Sequence, residues 1–133
     1  MEDVSRSNLK ELFLCNCGIG KEKEDIDILY NMICNNKSLE SLRLFGNEIN
    51  SMDKYTKILG AFSEYNNNLK NDTLKCLDLS KNQCFLKIDE NFLNLIEKLK
   101  LEYLDINQNQ MDEDEKKIFS ERVYEFSKIR IIY

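Results

Sequence analysis

LESLRLFGNEI, running from Leu39 to Ile49, is one of four copies of a single eleven-residue pattern. The others are LKELFLCNCGI (Leu9–Ile19), LKCLDLSKNQC (Leu74–Cys84) and LEYLDINQNQM (Leu101–Met111). Each is apolar at positions 1, 4, 6 and 11 and carries Asn or Cys at position 9. A fifth, degenerate copy reads FSKIRIIY from Phe126 to Tyr133, with Phe126, Ile129 and Ile131 as positions 1, 4 and 6. Self-similarity at such a period marks stacked repeats, in which each unit buries its apolar face against the next.

The units start near 9, 39, 74, 101 and 126, so the periods are 30, 35, 27 and 25 residues. That length leaves room for a helix after each strand. Ile26, Leu29, Tyr30 and Ile33 fall at i, i+3, i+4 and i+7, as do Tyr55, Ile58, Leu59, Phe62 and Phe92, Leu95, Ile96, Leu99. Each set predicts one apolar helix stripe. A weaker fourth stripe uses Phe119, Val123 and Phe126. It opens on the acidic MDEDEKK, where Asp112 and Glu115 have capping-box spacing. The longest unit carries its excess at Asn66, Asn67, Asn68, Asn71 and Asp72, a polar cluster that predicts a loop.

These units predict parallel strands, each followed by a crossover helix. Strands sit about 4.8 Å apart and packed helices about 8 to 10 Å, so the stack bends with its strands inside. The expected architecture is α/β: a right-handed horseshoe arc with a parallel sheet on the concave face and helices on the convex face. Positions 4 and 6 point into the core, and positions 3, 5 and 7 point to the concavity. Position-9 asparagines satisfy turn backbone groups that would otherwise be buried without partners.

The chain has 133 residues, enough for one domain with a real core. Proline is absent, glycine occurs four times, and no flexible linker is visible. The net charge is −5 with no basic block, which argues against nucleic acid. No apolar run reaches membrane-span length, and the start MEDVSRSN does not read as a signal peptide. Five irregularly spaced cysteines without any histidine do not form a zinc pattern. They read as reduced thiols in a cytoplasmic protein, with Cys17 and Cys84 expected to point inward. There is no glycine-rich phosphate loop and no nucleophile beside a base, so no enzyme, cofactor or metal chemistry is expected.

The strand-plus-helix repeat resembles the leucine-rich repeat family, in its ribonuclease-inhibitor-like subclass, over residues 9 to 133. That group includes the inhibitor itself, a GTPase-activating protein and the tropomodulin C-terminal domain. The resemblance implies a non-catalytic scaffold that binds a protein through the concave face. The alternative it implies is a regulator of a partner enzyme, such as a GTPase-activating or inhibitor protein. Members of the family normally carry caps at both ends. None is recognisable here, so the chain is expected to be part of a longer solenoid or to pair with another copy through its end units.

Rows read across the strands give the candidate site. Position 2 alternates Lys10, Glu40, Lys75 and Glu102, a ladder of weak surface pairs. Position 5 gives Phe13, Arg43, Asp78, Asp105 and Arg130. Like charges at Asp78 and Asp105 are unfavourable neighbours. Either Arg43 and Arg130 flank and neutralise them, or a partner supplies a cationic side chain; a hard metal ion needs more oxygen ligands than the row offers. Phe45 at position 7 and Tyr103 at position 3 also face outward, and exposed aromatics make interface anchors. The expected partner-binding set is Phe13, Arg43, Phe45, Asp78, Tyr103, Asp105 and Arg130.

Overall fold

The structure is a computed structural model that describes residues 8–67, 69–126 and 128–133. Residues 1–7, Asn68 and Ser127 lie outside the described residues, and with them the polar start and one member of the loop cluster. Five strands, β1 (Glu11–Phe13), β2 (Ser41–Arg43), β3 (Cys76–Asp78), β4 (Tyr103–Asp105) and β5 (Arg130–Ile132), form one sheet in chain order. Every neighbouring pair is parallel. Four helices alternate with them: α1 (Lys23–Asn35), α2 (Met52–Gly60), α3 (Glu90–Glu97) and α4 (Glu113–Arg122). None is long and apolar enough to cross a membrane.

The register aligns Leu12, Leu42, Leu77 and Leu104 in one line. Leu42, Leu44, Leu77, Leu79, Leu104 and Ile106 are buried against the helix stripes, which supply Ile26, Leu29, Ile33, Tyr55, Ile58, Leu59, Phe92 and Ile96. In α1 the stripe uses Met32, while Tyr30 is half-buried. Leu12 and Leu14 in the first unit are also half-buried; among the described residues they have a packed neighbour on one side only. The sheet thus has one face sealed by the core and one face open.

Side chains cap the starts of α2, α3 and α4. Ser51 accepts from the Lys54 N–H, Asp89 from Phe92 and Asp112 from Glu115. Only half of the expected capping box forms at α4. The Glu115 carboxylate accepts instead from the Ile88 N–H of the preceding unit, so it ties two repeats together.

The turns after β2, β3 and β4 are built on asparagine, and the first of these asparagines also serves the turn after β1. Asn47 Oδ1 accepts from the Cys17 N–H at 2.8 Å, and its amide donates to the Leu44 carbonyl at 3.0 Å. Asn82 Oδ1 accepts from Asn47 N–H at 2.8 Å and Ile49 N–H at 3.2 Å, and its amide donates to Leu44, Leu79 and Ser80. Asn109 repeats this toward Asn82 and Cys84. Each of the first three units borrows an acceptor from the next, which links the turns into one ladder. Cys17 departs from expectation. Its side chain is exposed and points to the Cys15 carbonyl at 3.3 Å, since a thiol cannot accept and donate as an amide does. Cys84 is buried as expected.

A second asparagine ladder lies at the opposite end of the strands. Asn36 accepts from Ser38 and Leu39 N–H groups. Asn71 accepts from Thr73 and Leu74 and donates to the Ile33 and Asn36 carbonyls at 2.8 and 2.9 Å. Asn71 therefore belongs to the core framework and not to a solvated loop; it is only 3 % exposed.

The last unit is in a different register from the one the sequence suggests. Tyr103 pairs with Arg130, Leu104 with Ile131 and Asp105 with Ile132. The Arg130 N–H donates to the Glu102 carbonyl, just as Tyr103 N–H does to Lys75. The unit therefore begins at Lys128, giving a period of 27 and not 25 residues. Phe126 is buried, but in the return segment before the repeat, where its ring draws the eye to the wrong start. A two-residue slip keeps each side chain on its face and moves it one row along. Tyr133 thereby takes position 6 and packs edge-on against Phe119, with ring centres 4.9 Å apart.

Candidate protein-binding face

The open face is built by positions 3, 5 and 7, whose side chains alternate with the buried leucines. Its backbone is rigid because each strand is bonded to its neighbours and backed by the core. Phe13 is 56 % exposed, an unusual setting for a phenylalanine. The Arg43 guanidinium lies over its ring, 4.8 Å from the centroid. Phe45 is half-buried, with the Lys81 ammonium 5.9 Å from its ring centre. Each aromatic thus carries a cation, an arrangement that adds a modest attraction at exposed sites.

Asp78 and Asp105 are direct neighbours on β3 and β4. Asp78 Oδ1 accepts from the Ser80 N–H at 2.8 Å and the Ser80 hydroxyl at 2.6 Å. Asp105 Oδ1 accepts from the Asn107 N–H at 2.9 Å. Each carboxylate so caps the turn that follows its own strand. Burial holds the Asp105 carboxyl above its ordinary range; the Asn107 N–H partly offsets this, and the charge of Asp78 adds to it. Burial also raises the Cys15 thiol beside this face, and pushes the core thiol of Cys84 up to about 11, where it is inert.

Neither arginine forms an ion pair with the two aspartates. Arg43 is level with Asp78 in the register but turns to Phe13. Arg130, expected beside Asp105, stands one row away beside Tyr103, and Ile132 occupies the place next to Asp105. Among the described residues no ion pair reaches either aspartate. The position-2 ladder forms at its first rung, where Lys10 meets Glu40 at 3.7 Å; the charged groups there are well exposed.

The structure therefore brings Phe13, Arg43, Asp78 and Asp105 into one row, with Phe45 and Tyr103 in the flanking rows. Sequence reading missed Lys81 and Ile132. Lys81 sits at position 8, where the left-handed backbone (φ 56) redirects the chain. Ile132 was hidden by the register slip. A separate hollow of about 480 Å³ lies at the other ends of the strands, lined by Lys98, Lys100, Glu125, Phe126 and Lys128, with Glu64 paired to Lys100 at 3.2 Å.

These features define an α/β repeat fold with a five-stranded parallel sheet. No protein-family model matches the chain, and no curated protein matches it. Among solved structures, the tropomodulin C-terminal domain of Caenorhabditis elegans is similar, with a TM-score of 0.65 and 16% identity. The likeness covers 98% of this chain and 80% of that one. At this identity it shows the fold.

Proposed function

We propose that the chain is a leucine-rich-repeat solenoid of the ribonuclease-inhibitor-like form that binds a protein partner on the concave, open face of its sheet. The repeat pattern, the in-order parallel strands and the likeness to the tropomodulin domain support the architecture. Parallel strand connections of this kind are nearly always right-handed, which supports a right-handed arc. The binding role rests on one observation above the others: Phe13 stands 56 % exposed under Arg43 on the open face of the sheet. Rigid aromatic and arginine side chains are the usual anchors of protein interfaces, and a preorganised strand loses little entropy on binding. The proposed contact set is Phe13, Arg43, Phe45, Asp78, Tyr103 and Asp105, with Arg130 at its edge.

The test is affinity for a partner identified by crosslinking in the source cell. Phe45→Ala and Asp78→Arg should each weaken that complex by about tenfold or more. Ile28→Ala and Tyr124→Ala, exposed on α1 and beyond α4, should leave it unchanged. The reverse pattern would move the interface to the helices.

A further inference from the structure

The position-5 row is a line of ordered chemistry across all five strands: Phe13, Arg43, Asp78, Asp105, Ile132. It has an exposed ring at one end, an aliphatic side chain at the other and two adjacent carboxylates between. Arg43 lies over Phe13 and, among the described residues, neither carboxylate is taken up in an ion pair. Only Oδ1 of each is used by a turn N–H, which leaves Oδ2 of both aspartates without a protein donor among the described residues. The row is therefore polarised, from a ring carrying an arginine, through an acidic pair, to an aliphatic end, and is not a uniform acidic patch.

Resting on the binding reading above, we infer that the partner is a polypeptide segment lying along this row, with one Lys or Arg over Asp78 and Asp105 and an apolar side chain on each side of it. Strand spacing sets the distances. From the middle of the aspartate pair, Ile132 is one and a half strand steps away and Phe13 two and a half, about 7 Å and about 12 Å at 4.8 Å per step. Arg43 enforces the register, because a second basic group on its side meets like charge. A single basic residue between two unequally spaced apolar residues is thus distinguished from a polybasic or an acidic segment.

The experiment pans a phage-displayed library of random 12-residue peptides on the folded chain and measures the enriched peptides, made synthetically, by fluorescence anisotropy. The enriched set should share one Lys or Arg flanked by apolar residues. Affinity should fall about tenfold or more in Asp78→Asn with Asp105→Asn, and equally when norleucine replaces the basic residue. The asparagines keep the Oδ1 acceptors, and a urea midpoint at or above that of the unsubstituted chain shows that folding is intact. Peptides that are lost in Phe45→Ala but need no basic residue overturn this inference and leave the binding reading standing. Peptides indifferent to every open-face substitution, or no enrichment at all, overturn both.

Discussion

Asn82 does the work of several residues at once. Fully buried, it accepts two N–H groups from the preceding unit and donates to three carbonyls. Asn82→Ala would leave these groups unpaired in the interior. We predict a loss of about 1 to 3 kcal/mol or more in urea unfolding, the penalty of orphaned buried groups. A loss under about 0.5 kcal/mol would show that water replaces the side chain. Asp105 makes the opposite prediction. Its folded carboxyl titrates above the ordinary aspartate range, chiefly through burial. Between the unfolded and folded values the folded state binds the extra proton, so stability falls as pH rises through that window. Asp105→Asn should therefore raise the urea midpoint at pH 7, and the gain should shrink as pH falls through that same window and be gone below the ordinary aspartate value. A variant that is less stable at pH 7 would contradict the account.

At the scale of elements, neighbouring units touch through specific small contacts. A Cβ on Gly20 would lie 2.3 Å from the Glu48 carbonyl, and one on Gly46 would lie 2.0 Å from Asn16 Oδ1. Gly20→Ala must push the first unit off the second. We expect its amide exchange to speed up at β1 while β3 and β4 stay protected. Uniform acceleration would mean that the units do not separate locally. The strands also differ in their core contribution. Leu77 is fully buried between two units, and Leu12 is half-buried in the first. Leu77→Ala should cost about 2 to 5 kcal/mol through the cavity it opens, and Leu12→Ala clearly less. Equal losses in denaturant titration would show that β1 is packed as tightly as β3.

Across the whole molecule, contacts run from each unit to the next. Stability in such an array is close to a sum of unit and interface terms, and the inner units have two interfaces. Native-state hydrogen exchange should therefore be slowest in β2, β3 and β4 and faster in β1 and β5. A flat profile would indicate one all-or-none unit. The open face inherits its rigidity from this arrangement.

How much of this was legible in the chain follows from the range of the interactions. Leucines at positions 4 and 6, helix stripes and the asparagines at position 9 repeat locally, so the alternating strand–helix units, their order and the inner and outer faces could be read from residues alone. The outward placement of Phe13, Arg43, Asp78 and Asp105 came with them, because a side-chain period of two is a property of the strand. Three matters needed the tertiary structure. Arg43 had two partners within reach, and only the fold shows that it takes the ring and not the carboxylate. Asn71 looked like a loop residue until Ile33 and Asn36 came against it. The register of β5 depended on Phe126 filling the core from the return segment ahead of the strand. In each case contacts from distant parts of the sequence decided among the local choices.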